Sequence, residues 1–347
     1  MLNLLPDDDT LYAALVARDA AFEGRVFVGV TSTGIFCRLT CPARKPKRSN
    51  CRFFDTQAAA LEAGFRPCKR CTPLTPEGAP LIAPLIAALE ADPLRRWSEA
   101  DLRRMGHDPS TIRRAFKRHF GISFLEMARL RRLGAGFTTL AQGAQVIDAQ
   151  LDAGFDSPSA FRSAFARLIG VAPGTLPKDA PLKADWIESP LGPLVAVSCT
   201  HRLHLLEFAD RKALPTELAR LRKTTGHAIA LGPQRPTDQI RAELDAYFAG
   251  QCARFDTPLQ LHGSPFTREV WNALRDIPAG ATRSYGDLAK ALGRPGASRA
   301  VARANGANQI AIAIPCHRVI GADGTLTGYG GGLWRKQRLI EIERSFT

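Results

Sequence analysis

The chain has 347 residues, 45% of them hydrophobic, and a formal net charge of +14. That length and apolar content allow two to four domains with real cores, and a positive excess spread along the whole chain points toward nucleic acid. No run of about 18 apolar residues and no basic-apolar leader occurs, so the expectation is a soluble, unexported protein; eight cysteines, five of them between positions 37 and 71, favour metal or thiol chemistry over a disulfide framework.

From the amino terminus, Asp9-Thr10 is the expected cap of a helix whose apolar positions Leu11, Ala14, Leu15 and Ala20-Ala21 keep helical spacing. Phe27 to Val30 predicts a short strand leading into Thr33-Gly34-Ile35-Phe36-Cys37. Cys37, Cys41, Cys68 and Cys71 follow the pattern C-x3-C-x26-C-x2-C, two close pairs suited to a closed tetrahedral site for one Zn2+. Cys51 has no partner in that pattern and is assigned to packing. Between Phe36 and Arg52 stand Arg38, Arg44, Lys45, Lys47, Arg48 and Arg52 with no acid, a surface suited to phosphate. Closed all-cysteine sites ordinarily only hold a fold together. The surrounding words, Thr-Gly-Ile-Phe-Cys-Arg-Leu-Thr-Cys-Pro-Ala-Arg and Gly-Phe-Arg-Pro-Cys-Lys-Arg-Cys, resemble the zinc domain of the Ada family of bacterial adaptive-response proteins. The resemblance implies that Cys37 is both a zinc ligand and the acceptor of a methyl group from a DNA phosphotriester. Turning one of four zinc-bound thiolates into a thioether would remove a negative charge from a phosphate-facing surface.

Thr75-Pro76-Glu77-Gly78-Ala79-Pro80 has the composition of a linker, and Leu81, Ile82, Leu85, Ile86 and Leu89 then give an amphipathic helix. Two similar units follow, His107 to Gly121 and Phe155 to Gly170. Each has a capping Asp or Ser, an early proline, an Ile/Phe/Leu stripe, a basic or hydroxyl-bearing face and a closing glycine. Two such helices suit successive major-groove turns, although an ordinary basic helical bundle would carry the same stripe. With its ending Gly170-Val171-Ala172-Pro173, the segment resembles the AraC-type regulator domain. Base-facing candidates are then Ser110, Arg113 and Arg114 in the first unit and Ser159 and Arg162 in the second.

Pro181 to Pro190 reads as a second connector. Leu191 to Ser198 and Leu203 to Phe208 alternate as a small sheet, with helices around Pro215–Lys223 and Asp238–Phe248. Cys199 and Cys252 fall outside any motif and are assigned structural roles. Ser284 to Gly293 and Ala297 to Asn305 predict a helix-turn-helix with a thin, alanine-rich second helix. Ile310, Ile312 and Ile314 alternate with alanines and predict a buried strand ended by Pro315, which puts Cys316 at a strand end. A thiol is a methyl or acyl acceptor only as thiolate, and His317 and Arg318 stand beside it as a base and a positive neighbour. On a strand His317 reaches the sulfur directly only if the backbone turns, and otherwise through a water.

Pro-Cys-His-Arg-Val-Ile, followed by Gly-Ala-Asp-Gly-Thr-Leu-Thr-Gly-Tyr-Gly-Gly-Gly-Leu and Arg335-Lys336, resembles the O6-alkylguanine-DNA alkyltransferase family from about Gly263 to Glu343. That resemblance implies a flipped-out guanine as substrate, Cys316 as an acceptor that is never regenerated, His317 as its base through a water, and Glu343 as the orienter of the histidine. By position it further implies that Arg299 fills the space of the flipped nucleotide, Tyr285 helps rotate it out, Tyr329 lines the pocket and Asn308 braces the turn before the cysteine.

The expectation is a multidomain α+β chain. It comprises a small α/β four-cysteine zinc domain (1–78), an all-α double helix-turn-helix domain (79–180), a small β-sheet/α subdomain (181–262) and a helical, winged-helix-like alkyltransferase domain (263–347). The resemblances imply methyl transfer from O6-methylguanine and O4-methylthymine to Cys316 and from phosphotriesters to Cys37, the latter making a transcriptional activator. The alternative is an AraC-type regulator with a structural zinc domain and a vestigial alkyltransferase. Implied partners are alkylated and promoter double-stranded DNA and RNA polymerase, for a monomer in the bacterial cytoplasm or nucleoid, without membrane contact.

Overall fold

A computed structural model describes residues 6–71, 73 and 79–346. The chain divides after Ile86 into two compact units.

In the first unit, α1 (Asp8–Ala17) is capped by Asp7, which accepts from the backbone of Asp9 and Thr10 at 3.0 and 2.9 Å. The cap is therefore not Asp9-Thr10, because only a carboxylate before the helix reaches its first free N–H groups. Arg18 turns left-handed (φ 54°) and ends the helix, so Ala20-Ala21 belong to a separate 3-10 turn and not to its apolar stripe. The sheet of β1 (Phe27–Val30), β2 (Ile35–Arg38), β3 (Cys51–Phe54) and β4 (Arg66–Pro67) has the order β3-β1-β2-β4. It carries the short α2 (Gln57–Glu62), capped by Thr56. Of the expected linker, residues 75–78 lie outside the described residues, and Ala79-Pro80 already open α3 (Ala79–Ala91), which buries Ile82, Leu85 and Leu89.

The second unit opens with five helices, α4 (Glu99–Arg104), α5 (Pro109–Phe120), α6 (Phe124–Ala141), α7 (Val146–Asp152) and α8 (Pro158–Ile169). As expected, α5 and α8 start on an Asp108 or Ser157 cap with proline at the first position and stop at Gly121 and Gly170. The apolar faces of α6 and α8 do not close on themselves. Phe137, Phe161 and Phe165 share one core with Leu182, Trp186, Val195 and Leu205 of the following sheet.

That sheet is β5 (Leu182–Ile187), β6 (Leu194–Ser198), β7 (Leu203–Phe208) and β8 (Ile229–Leu231), in the order β7-β6-β5-β8, with α9 (Leu214–Thr225) and α10 (Arg235–Phe248) packed around it. Two expectations are corrected here. Residues 182–187, taken for a connector, form the strand β5, and β6 and β7 do not alternate because every residue in them is buried. Cover on both faces removes the two-residue signal from β6 and β7, whereas in β5 Leu182, Ala184 and Trp186 still alternate with Lys183 and Asp185.

The chain ends with α11 (Pro265–Arg275), β9 (Arg283–Ser284), α12 (Tyr285–Ala291), α13 (Ser298–Gly306), β10 (Val319–Ile320) and α14 (Leu333–Glu343). The predicted strand at 310–314 is absent. Ile310 makes one bridge to Leu206, the chain then turns, and Ile312 takes φ +68°. The cause is Asn308, whose side chain accepts from Ile310 N at 3.0 Å and donates to Ile314 O at 2.9 Å, closing a turn in place of a ladder. Cys316 accordingly starts a 3-10 turn rather than ending a strand. A β-branched residue in the left-handed region is strained, and such strain collects where surrounding contacts over-determine the backbone.

Candidate active site and metal centre

Parallel pairing of β2 with β4 brings the two cysteine pairs together, and Cys68 N donates to Phe36 O at 3.0 Å across that seam. The ligand sulfurs of Cys37, Cys41, Cys68 and Cys71 all lie within 4.8 Å of one another. Sulfurs about 2.3 Å from a tetrahedral zinc would stand roughly 3.8 Å apart, so the cluster fits the ion with little adjustment. The donor set itself calls for a cation. A hydrogen bond to Cys71, burial and the neighbouring thiols push the Cys37 thiol far up, while its hydrogen bond to Cys37 pulls Cys71 down to about 5. Four such groups ionise together only around a metal. These cysteines hold one Zn2+. Cys51 is buried apart from them, its thiol donating to Lys47 O at 3.3 Å.

The basic run beside the cluster is partly spent internally. Arg38 is 4% exposed and paired with Glu23 at 2.7 Å, so it does not face phosphate as expected. Arg48 is paired with Asp8 and Asp9 at 3.3 and 2.9 Å. Lys45 donates to the Leu39 and Cys41 carbonyls at 3.1 and 3.4 Å, bracing the cysteine loop. Arg44, Lys47 and Arg52 remain exposed, joined by Lys69 and Arg70, which the sequence analysis did not single out.

Around Cys316, burial pushes the thiol up to about 11 against one direct donor, Asn308 Nδ2, 3.1 Å from the sulfur. Asn308 thus does more than brace a turn. Its amide also donates to the Cys316 sulfur. His317 is fully buried, and its Nε2 meets Glu343 Oε1 at 2.7 Å. Burial pushes the Glu343 carboxyl up, but the hydrogen bonds of His317 and Arg318 outweigh it and bring it down to about 2. Burial also lowers the His317 pKa. A carboxylate only accepts, so Nε2 carries the hydrogen and Nδ1 is left as a free acceptor, with no partner among the described residues.

Arg318 does not serve the sulfur as a positive neighbour. Its Nε and Nη2 hold both Glu343 oxygens at 2.8 Å, a bidentate grip that fixes the carboxylate. Tyr247 OH adds a third donor at 3.0 Å. The cations that act on the thiol are Lys336 and Arg211. Lys336 is buried, donates to Val319 O at 2.6 Å and Thr327 O at 2.5 Å, and is lowered by burial to about 8. Tyr247, Lys336 and Arg211 escape sequence reasoning because a tyrosine on an apolar helix face, a lysine within a helix and a lone arginine in a loop look like packing and solvent charge.

The remaining candidates are placed less tightly. Tyr329 sits edge-on to His317, ring centres 6.5 Å apart, its hydroxyl without a partner among the described residues. Tyr285 begins α12 and packs against the core, while Arg299 is exposed near the start of α13. Cys252 is exposed and Cys199 half-buried, so Cys252 has no core role. On α5, Ser110 is tied to the Asp108 cap at 2.6 Å, Arg113 to Glu99 at 2.5 Å and Arg114 to Thr111 at 3.4 Å, and on α8 Ser159 meets the Ser157 cap at 3.2 Å; these four residues and Arg162 are all exposed.

Family models match in four blocks: the metal binding domain of Ada at residues 10–73, a helix-turn-helix domain at 102–179, and the ribonuclease-like and DNA binding domains of 6-O-methylguanine DNA methyltransferase at 182–261 and 265–345. The chain is 34% identical to the bifunctional transcriptional activator/DNA repair enzyme Ada of Escherichia coli, over 97% of this chain and 96% of that one. It is 35% identical to the regulatory protein ada of Salmonella typhimurium, over 99% and 98%. Against the methylated-DNA–protein-cysteine methyltransferase of Mycolicibacterium paratuberculosis the identity is 51%, over 40% of this chain and 86% of that one.

Proposed function

Because this chain belongs to the Ada family, we propose that it takes methyl groups from O6-methylguanine and O4-methylthymine in DNA onto Cys316 and from DNA methylphosphotriesters onto Cys37. It is a DNA-binding repair protein and a transcriptional activator, and its methyltransferase activity is single-turnover. The observation that carries the Cys316 assignment is the buried chain Arg318–Glu343–His317 standing next to a thiol that Asn308 already holds.

The steps follow from that geometry. Glu343 keeps the Nε2–H tautomer, so His317 Nδ1 accepts the thiol proton, through a water. The sulfur attacks the methyl carbon, the carbon–O6 bond breaks, and the guanine leaves with the electron pair. A thioether has no leaving path, so one chain repairs one base. Cys316 is 6% exposed and cannot reach a stacked base, which supports base flipping, with Tyr285 turning the nucleotide out, Arg299 filling its place and Tyr329 lining the pocket. In the zinc cluster bound metal would keep the ligand sulfurs as thiolates; the Cys37 sulfur takes the methyl carbon, the carbon–oxygen bond of the phosphotriester breaks, and the phosphodiester leaves with the electron pair. Arg44, Lys47 and Arg52 hold the backbone, while Arg162, with Ser110, Arg113, Arg114 and Ser159 once released from their internal partners, reads bases.

We divide the chain at 78, 180 and 262, and read a cytoplasmic monomer that meets RNA polymerase at promoters. No helix among the described residues is long and apolar enough to cross a membrane. The deciding experiment incubates the chain with duplex DNA methyl-labelled at guanine O6 and at phosphate and maps the labelled cysteines. Label on Cys316 and Cys37 is expected. Label on Cys71, the least buried of the four ligands, would move the phosphotriester assignment, and an unlabelled Cys316 would leave a regulator without base repair.

A further inference from the structure

Glu207 on β7 is 1% exposed, and no step above uses it. It accepts from Phe208 N at 2.9 Å and is ion-paired with Arg211. Arg211 also meets Glu217 of α9 at 3.1 Å, and its guanidinium donates to the carbonyls of Asn308 at 3.2 Å and Gly306 at 3.4 Å. Those carbonyls belong to the turn from which Asn308 reaches the Cys316 sulfur. The strand itself grips the same turn: Leu206 N donates to Gln309 O at 2.9 Å and Leu206 O accepts from Ala311 N at 2.7 Å. The guanidinium also lies against the glycine-rich loop. A Cβ at Gly330 would come within 2.8 Å of Arg211 Cζ, so a side chain there would have to displace the clamped guanidinium.

Stability alone does not account for this cluster, since buried ion pairs are often matched or bettered by apolar packing of the same volume. We propose that Arg211, clamped between Glu207 and Glu217, is a positioning residue for methyl transfer to Cys316, fixing the Gly306–Asn308 turn and seating the Tyr329 loop. The proposal rests on Cys316 being the acceptor. Charges around the group bear on it in opposite senses. Arg211 and Lys336 favour the Cys316 thiolate and Glu207 opposes it, Tyr329 also faces Glu207, and Arg220 stands by Glu217. Burial lifts Glu207 to about 7 in spite of Arg211.

The test uses the full chain and Arg211→Met, Arg211→Lys and Glu207→Gln. Transfer from O6-methylguanine in duplex DNA is timed, and the pH dependence of Cys316 alkylation by iodoacetamide is followed on the Cys316 peptide by mass spectrometry. Arg211→Met should slow transfer on the order of 10- to 100-fold and shift the thiol titration upward, with part of the rate recovered in Arg211→Lys. Glu207→Gln should shift the titration downward. A cluster that only holds the fold together would move neither titration, or both the same way, and would overturn the proposal. So would an unchanged rate in Arg211→Met when Cys316 of the unsubstituted chain is labelled; an unlabelled Cys316 there would overturn the acceptor reading together with this one. Should Arg211→Met not fold, as judged by thermal unfolding, the direction in Glu207→Gln decides: downward supports the clamp, unchanged or upward overturns it.

Discussion

Cys37 and Cys316 are both buried thiols, 8% and 6% exposed, and the chain readies them by opposite means. Cys37 sits among three other thiols whose mutual hydrogen bonds and repulsion are relieved only by a cation. Cys316 sits within the field of Lys336 and Arg211, with one amide on its sulfur and, beside it, one histidine whose proton position a carboxylate dictates. The first site is therefore a matter of metal, indifferent to which nitrogen of a histidine is protonated. The second is a matter of one proton and one tautomer, indifferent to zinc.

The sharpest way to break this comparison is to remove the metal. Cys68→Ala or Cys71→Ala, or a strong chelator, should cost the first unit on the order of 10 kcal/mol of folding free energy and abolish phosphotriester transfer. Guanine transfer should persist. Cys316→Ala should do the reverse, abolishing guanine transfer while zinc content and phosphotriester transfer stay intact. Zinc measured by atomic absorption beside both transfer assays checks this, and zinc retained in Cys71→Ala would refute the four-cysteine site.

The next effect in size belongs to the tautomer. Glu343→Gln leaves one acceptor oxygen and one NH2 where His317, Arg318 and Tyr247 all donate, so the hold on the Nε2–H tautomer is lost or weakened, and in comparable triads the wrong tautomer slows chemistry by up to about 10^4-fold. We expect a loss on the order of 10^2- to 10^4-fold in guanine transfer, with phosphotriester transfer unaltered. A loss below threefold would mean that His317 is not the base.

The two sites were not equally legible in the sequence. Zinc ligation shows as spacing, because two close pairs of cysteines have few other uses. The Cys316 turn misleads, because residues 310–316 are buried throughout and an Ile-Ala alternation in such a place carries no sheet signal. Asn308 decides that turn through side-chain hydrogen bonds, which leave no periodic trace. The phosphate face was misjudged for a similar reason: no acid lies between Phe36 and Arg52 in sequence, yet Glu23, Asp8 and Asp9 come from earlier elements to pair with Arg38 and Arg48. β5 is a different case: Leu182, Ala184 and Trp186 do alternate with Lys183 and Asp185, but the prolines at 181 and 190 that bracket the segment read as a connector.

Acid should also separate the two halves of the comparison. Glu343 is lowered to about 2 in the folded chain from 4.5, so its contribution is whole above pH 4.5 and disappears as pH falls toward 2. The shift corresponds to roughly 3 kcal/mol. His317, lowered by burial, adds a loss that begins as pH drops below its unfolded value of 6.5. All four tryptophans lie in the second unit, so their fluorescence in denaturant titrations from pH 7 to 3 reports it. The native chain should lose more stability over that range than Glu343→Gln, and parallel curves would contradict the assigned carboxylate.

The smallest effect is the charge change on methylating Cys37. Four zinc-bound thiolates lose one negative charge when one becomes a thioether, and no movement of the chain is needed. Of the basic residues beside the cluster, Arg38 and Arg48 are already paired and Lys45 faces inward, leaving Arg44, Lys47 and Arg52, with Lys69 and Arg70, to meet phosphate. With fewer free cations the gain should be modest, about 1 kcal/mol or roughly fivefold in affinity at low salt. It must shrink as salt rises, because screening at about 0.1 M already reaches within 10 Å. Sequence preference should stay as it was if, as proposed, α5 and α8 read the bases and the zinc surface meets only the backbone. Binding of methylated and unmethylated chain to promoter and to unrelated DNA, at several salt concentrations, measures all three. Equal affinities at low salt would rule out the charge mechanism, and a ratio that holds constant with salt would assign the switch to a structural change around Cys37.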